Sequence, residues 1–462
     1  MNRATTLVLS PELADTLDSL AQQPVETGAV LLARRARLFD DSLRLIGTQL
    51  VAVPDHAYLS RTDKRMTVGS EGYMPALHHA EETESVALWV HTHPSAGSTP
   101  RPSRHDMEVD RQLADTFALR TGTGIYGALI LSRHNGHLTF TGHLTGSEQA
   151  VIDRIFIAGA RFRLLQSFDA PAPDLPNLHD RHIRAFGPDI TRVLAQLRIA
   201  IVGTGGTGSA VAEQLARLGV GHLTLIDPDT LSDSNLTRVY GSTPDDVGRH
   251  KADVLADYLH RIAPTTAVTA VVGSVSQLHI ARHVVGADIV FGCTDDDAGR
   301  MRLSRFSYTY RTPLIDCGVQ IDADEYHVIR GIIGRVSVLH QGAACLLCRG
   351  RVSPQIAAAQ ERAPREQARL QREGYAPALP GTEPAVIAYT TATAAAAVNE
   401  LLERLVGYGP EPAPTETLLR LHDRKTSSNT QEPHPGHYCT HNDPRSFGDT
   451  DRYWGLAWPD AA

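Results

Sequence analysis

Long apolar runs, surplus positive charge and cysteine are all in short supply in this 462-residue chain, and each shortage excludes something. No apolar run approaches the ~18 to 20 residues that a membrane-spanning helix requires. Met1 to Ser10 lacks a basic start followed by an apolar centre and a small-residue cleavage site. The expectation is a cytoplasmic protein with no membrane partner. Lys and Arg number 44 against 52 Asp and Glu, a net charge of -8, so nothing points to a nucleic-acid partner. Five cysteines, an odd count in a long chain, do not make a disulfide framework. They leave metal or thiol chemistry open.

The length calls for two or three domains, and the pattern is α/β throughout. Its organising stretch runs from Leu197 to Lys251. The β-branched run Ile199–Val202 stops at glycines, a helical pattern follows (Val211, Leu215, Leu218), and a second strand, Leu223–Ile226, ends at Asp227. Gly203, Gly205 and Gly208, with Gly206 between them, form a G-x-G-x-x-G, which lets backbone approach a phosphate at a helix N-terminus. Asp227 stands where a dinucleotide fold puts its ribose-binding acid. The residues after it, Asp229, Asn235, Arg238 and Lys251, suit a triphosphate and its metal better than a nicotinamide. ATP with Mg2+ is therefore the expected cofactor pair. Any single Asp at a strand end can instead be a plain turn cap.

GTGGTGS, LIDPDTLSDSNLTR, Lys251, and the T-D-D-x-x-x-R of Thr294, Asp295, Asp296 and Arg300 together resemble the ThiF/MoeB/ubiquitin-activating adenylyltransferase family, over roughly Arg181 to Tyr408. The resemblance implies attack on the α-phosphate of ATP by the C-terminal carboxylate of a ubiquitin-like protein. It assigns Asp227 to the ribose, Asn235, Arg238 and Lys251 to the phosphates, and Asp295 to magnesium. Arg181 and Arg184 resemble the family's R-Y-x-R, whose second Arg reaches into the partner subunit's ATP site. Arg184 is thus a candidate finger in trans, implying a homodimer; the plain alternative is a solvated surface helix.

The N-terminal region carries Glu26, then His91-Thr92-His93-Pro94 at the end of an apolar strand, then Ser103 and Asp106. Two histidines two apart on a strand point the same way, and a downstream Asp completes a three-ligand zinc site with a fourth position for water. Glu26 would take that water's proton. The E-T-G, H-x-H-P and P-S-x-x-D pattern resembles the JAB (JAMM/MPN) metallopeptidases, which cleave after the C-terminal glycine of ubiquitin-like proteins. The resemblance gives Ser103 a share in holding the oxyanion.

Cys345 and Cys348 form a C-x-x-C, half of a tetrahedral zinc site. The activating family completes it with a second C-x-x-C, missing here. Cys439, with His437 or His441, is the available completion, against a metal-free relic. Arg349 to Gly381 contains no cysteine where ubiquitin-transferring relatives carry a nucleophile. That charged, Ala- and Gln-rich segment reads as a mobile helix or loop crossing the substrate tail. Cys293 and Cys317 sit at the ends of predicted buried strands, where thiols are usually inert.

The expected domains are a JAB domain (1–165), a Pro-rich linker with an Arg-bearing helix (166–185), a Rossmann-like ThiF domain (186–425) and a tail (426–462). Within them, Val328–Val338 reads as a strand pair and Ala385–Leu405 as a helix. Tyr453, Trp454 and Trp458 read as aromatics that pack the tail back onto the protein. Two functions compete: processing and adenylation of a ubiquitin-like partner, or a binding and assembly module without turnover. The first would serve sulfur transfer or conjugation, with a sulfur carrier or donor, or a conjugating enzyme, as further partner.

Overall fold

The computed structural model describes residues 3–94, 99–171, 173, 176–362, 364–372, 384–450, 454 and 458. Two compact units divide the chain: Met1–Pro171 with Asn442–Gly455, and Ala172–His441 with Leu456–Ala462. Among the described residues no helix is long and apolar enough to cross a membrane.

The first unit runs β1 (Arg3–Leu9), α1 (Pro11–Ala21), β2 (Gly28–Arg37), β3 (Leu43–Ala52), the hairpin β4 (Tyr58–Arg61) and β5 (Met66–Val68), α2 (Met74–Glu82), β6 (Val86–Thr92), α3 (Arg104–Arg120), β7 (Ile125–His134), β8 (His137–Gly146), β9 (Ala150–Ala158) and β10 (Phe162–Gln166). Its large sheet has the order β1-β3-β2-β6-β7-β8-β9-β10, and β1 also pairs with β9, so the sheet curls back on itself. Successive side chains of a strand face opposite sides. In β6, Val86, Leu88 and Val90 enter one core and Ala87 and Trp89 the other. Both faces are covered, which is why β6 reads as an unbroken apolar run and why its polar end, His91-Thr92, is conspicuous.

β6 meets β2 only as far as Ala33. Beyond it the tail takes over: Asp449 N–H donates to the Arg35 carbonyl (2.8 Å), and Arg34 Nε donates to the Phe447 carbonyl (3.2 Å). Phe447 and Trp454 are buried. The segment expected as one tail is therefore split, passing to the first unit from Asn442. Trp458 is buried as well, with the Arg302 guanidinium 4.5 Å from its ring. Tyr453 lies outside the described residues.

The second unit runs α4 (Asp180–Leu194), β11 (Arg198–Val202), α5 (Gly206–Arg217), β12 (His222–Asp227), α6 (Lys251–Ile262), β13 (Ala267–Val272), α7 (Leu278–Ala281), β14 (Ile289–Gly292), α8 (Asp297–Thr309), β15 (Leu314–Ala323), β16 (Ile329–Leu339), α9 (Pro354–Gln360), α10 (Pro364–Arg372), α11 (Ile387–Val406), β17 (Glu416–Arg420) and β18 (Lys425–Asn429). The sheet order is β13-β12-β11-β14-β15-β16-β17-β18. It is parallel from β13 to β15 and antiparallel beyond. This is the Rossmann-like α/β arrangement, with the order reversing beside β11.

Val328–Val338, expected as two strands, is the single strand β16, paired along nearly the whole of β15. A Cβ at Gly334 would come 2.3 Å from Thr393 Oγ1, so this glycine admits α11 against the sheet instead of bending the strand. Part of the predicted crossing segment is α9 and α10; residues 373–383 lie outside the described residues.

Candidate functional site

Three sites were legible in the sequence, one in the first unit and two in the second. In the first unit, β6 delivers His91 and the adjacent His93, while α3 begins one residue after Ser103. A reciprocal cap fixes that helix start: Ser103 N–H donates to Asp106 Oδ2 (2.7 Å) and Asp106 N–H to Ser103 Oγ (3.1 Å). The cap holds the Asp106 carboxylate between the histidines, with Oδ1 3.4 Å from His91 Nε2 and Oδ2 3.4 Å from His93 Nε2. Ser103 thus already has a structural duty; its hydroxyl proton is not used by the cap.

His93 Nδ1 faces the Thr99 carbonyl at 3.0 Å, which fixes the tautomer and turns Nε2 toward Asp106. Both ring nitrogens of His91 are buried without a hydrogen-bond partner among the described residues. The Asp106 contact of Nε2 falls short of a well-formed hydrogen bond, a costly state for a buried imidazole, and a metal ion shared by His91, His93 and Asp106 would resolve it. Their ligand atoms lie within 4.8 Å of one another. Glu26 is buried beside them, and burial raises its carboxyl above the ordinary range while the histidines pull it back.

In the second unit the glycine loop joins β11 to α5. Gly203 has φ +90°, and a Cβ there would sit 2.7 Å from the Cys293 carbonyl and the Thr294 nitrogen. A Cβ at Gly208 would be 1.8 Å from Gly203 O. Gly205 differs, since its Cβ would meet nothing within 4 Å among the described residues. Two glycines are thus imposed by packing, and the middle one leaves space in front of the α5 N-terminus.

Around this loop, Asp227 is buried at the end of β12 and accepts from Thr204 N–H (2.6 Å), Thr204 Oγ1 (3.1 Å) and Asp229 N–H (2.9 Å). Burial raises its carboxyl, against those donors and Lys251. Lys251 Nζ lies 2.7 Å from Asp229 Oδ2. The Arg238 stem packs 3.3 Å from the Gly206 Cβ position and its Nη1 donates to the Ser234 carbonyl. Asn235 is buried, capping its own turn by accepting from Ser232 N–H (3.1 Å). The two aspartates after β14 divide the work: Asp296 caps α8 through Gly299 N–H (2.6 Å), whereas Asp295 is exposed. Arg300 is not exposed toward the loop but forms a buried two-bond pair with Asp316 (3.0 and 2.6 Å). Arg184 is largely exposed and pairs with Asp180 one turn away.

Sequence reasoning missed a cleft of about 430 Å³ beside Asp296, lined also by Ser274, Ser276, Gln277, Ala298, Gln360 and Glu361. No motif marks these small and amide side chains, which come from three separated segments.

A profile of the ThiF family matches residues 179–440. The chain belongs to the ThiF family. Among curated ThiF-like relatives it is 38% identical over 133 residues to the molybdopterin-synthase adenylyltransferase of Escherichia coli K12, covering 29% of this chain and 53% of that protein. It is 34% identical over 149 residues to the tRNA threonylcarbamoyladenosine dehydratase of the same organism, covering 31% and 56%. To ubiquitin-like modifier-activating enzyme 5 of Arabidopsis thaliana it is 31% identical over 172 residues, covering 34% and 38%. The chain thus spans about half the length, or less, of these relatives.

The ThiF unit also gathers Cys345, Cys348, His437 and Cys439. His437 Nδ1 lies 3.3, 3.4 and 3.5 Å from Sγ of Cys345, Cys348 and Cys439, and the last two sulfurs are 3.7 Å apart. Zinc bonds of ~2.3 Å to sulfur and ~2.0 Å to nitrogen in a tetrahedron give edges of about this size. The donor set fits, and of the two candidate histidines His437 is the one gathered; His441 is not.

Proposed function

We propose that the ThiF unit activates the C-terminal carboxylate of a ubiquitin-like protein with ATP, and that the N-terminal unit is a JAB-type zinc hydrolase that exposes that C-terminus. The observation carrying the first half is the linked set at the strand ends: the open Gly205, Asp227 bonded to the loop, Lys251 on Asp229, and the exposed Asp295. A carboxylate is a poor nucleophile toward a polyanion, so the site must neutralise phosphate charge and align both reactants. The phosphates would lie against Gly205 and the α5 N-terminus. Arg238 and Lys251 would neutralise them, Lys251 exchanging Asp229 for phosphate oxygens, with Asn235 adding a donor. The cleft beside Asp296 would take the base. Asp227, with its remaining acceptor position, and Asp229 would hold the ribose. Asp295 would hold magnesium, which when bound would help neutralise the phosphates. Attack at the α-phosphorus releases pyrophosphate and leaves an acyl-adenylate. With no cysteine from Arg349 to Gly381, that mixed anhydride would pass to an external thiol or sulfur donor. Arg184 would act across a homodimer axis.

In the N-terminal unit, His91, His93 and Asp106 would hold zinc, which supplies a Lewis acid and lowers the pKa of water to about 7. Glu26 would take the attacking water's proton and return it to the leaving amine. The Ser103 hydroxyl proton, outside the cap, would donate to the developing oxyanion. Cys345, Cys348, His437 and Cys439 would hold a second, structural zinc.

The decisive experiment is ATP–pyrophosphate exchange with and without a ubiquitin-like protein. The expected outcome is partner-dependent exchange, lowered about 100-fold or more in Asp295→Asn or Lys251→Met. Exchange that ignores the partner, or survives both substitutions, overturns the reading.

A further inference from the structure

Glu26 has no secondary structure of its own to hold it; it lies in the connection between α1 and β2. Both of its backbone polar groups are nevertheless tied, and to the same element. Glu26 N–H donates to the Thr62 carbonyl (2.8 Å), and the Glu26 carbonyl accepts from Arg61 Nε (2.8 Å). Arg61 Nη2 also donates to Thr27 Oγ1 (3.0 Å). Its guanidinium carbon lies 4.4 Å from the centre of the Tyr58 ring, and the Tyr58 hydroxyl accepts from Gly28 N–H (2.9 Å). The β4–β5 hairpin therefore grips residues 26 to 28 from one side.

From the other side, Thr27 N–H donates to Thr92 Oγ1 (2.9 Å) and Thr92 N–H to the Thr27 carbonyl (3.1 Å). Thr92 stands between His91 and His93. The segment carrying Glu26 is thus registered directly against the strand end that carries the histidines, and Arg61 closes the opposite flank. By contrast the Arg61–Asp55 pair (3.3 Å) has an almost fully exposed partner and contributes little.

We propose that Arg61 is a positioning residue: its two-armed grip on Glu26 and Thr27 sets where the Glu26 carboxylate stands relative to His91, His93 and Asp106. This rests on the hydrolase reading of that site. A guanidinium fits because its planar fork reaches a carbonyl and a hydroxyl together, whereas an ammonium reaches one. Displacing a reacting group by about 1 Å costs on the order of 100-fold in rate.

The test uses the full zinc-loaded chain and a ubiquitin-like protein extended beyond its C-terminal glycine. Arg61→Ala is expected to lower kcat about 10- to 100-fold at unchanged KM and zinc content, with Arg61→Lys recovering part of the loss. Thr27→Val, which removes the second acceptor together with the hydroxyl's own bond to the Val25 carbonyl (3.1 Å), is expected to lower kcat in the same direction by less, and it carries the test if Arg61→Ala does not fold. A raised KM with unchanged kcat would make Arg61 a substrate contact and overturn the proposal, as would wild-type kcat in both variants. Wild-type protein that binds zinc and cleaves nothing would sink the hydrolase reading instead. In that event amide exchange decides the Arg61 role: faster exchange at Glu26 in Arg61→Ala supports the grip, and unchanged protection overturns it.

Discussion

The histidine–aspartate cluster of the first unit and the cysteine–histidine cluster of the second are made from opposite materials. His91 and His93 sit at the end of a strand buried on both faces, and Asp106 on the first turn of a helix fixed by a capping box. Both elements are regular secondary structure, and the set offers three candidate ligands. Cys345 and Cys348 lie in a tight turn, and their partners arrive from an irregular segment 89 residues after Cys348. That set has four ligands with edges of 3.3 to 3.7 Å. On the proposed function, three donors on a strand and a helix would leave a position for reactants. Four donors on loops close the coordination shell, and the metal would then organise the loops. The difference teaches that ligand count and support, more than ligand chemistry, separate a site for reaction from one for holding.

The sharpest way to break that comparison is Glu26→Gln. It should leave zinc content unchanged and lower tail cleavage about 1,000-fold, within the range of general-base contributions; unchanged turnover would make the first cluster another holding site. Next in size is Cys348→Ala. It should remove one zinc per chain and, for a loss of about 3 kcal/mol in a unit of this size, lower the melting temperature by roughly 6 to 12 °C. Its counterpart His91→Ala should also remove one zinc and end cleavage, yet move the melting temperature by less than about 3 °C, since the elements around it are packed without the metal. Equal melting shifts in the two variants would erase the distinction.

A smaller effect separates the two aspartates after β14. Asp296→Ala should cost about 1 kcal/mol as a lost helix cap, read by melting, and lower pyrophosphate exchange far less than Asp295→Asn. Smallest of all, Cys293→Ser should leave pyrophosphate exchange unchanged and no reducible adduct with the partner should accumulate. An adduct lost in this variant would restore a thioester step.

Much of this was legible in the residues because local rules fix it. The run Ile199–Val202 ending at Gly203 can be little else than a strand entering a tight turn, and the structure shows why: Gly203 has a left-handed φ and Gly208 lies against its carbonyl. The apolar run before His91 marked a strand covered on both sides. Less legible was β16, where Gly334, which admits α11, looks in sequence like a glycine that turns a chain. Not legible at all were Ser274, Gln277 and Gln360, whose shared cleft depends on distant segments meeting.

By itself the sequence determined which donors exist: two histidines flanking Thr92, a C-x-x-C, and a late cysteine with a histidine two residues to either side. It had no means of choosing between His437 and His441, which are equally spaced from Cys439. That choice fell to tertiary structure. A short turn closed by Thr440 N–H on the His437 carbonyl folds residues 438–440, and His437 Nδ1 faces all three sulfurs. The same holds for Arg61, one arginine among many until the hairpin brings it to Glu26. Propensity and spacing act over a few residues, whereas a coordination shell or a two-armed grip is set by segments that only packing brings together.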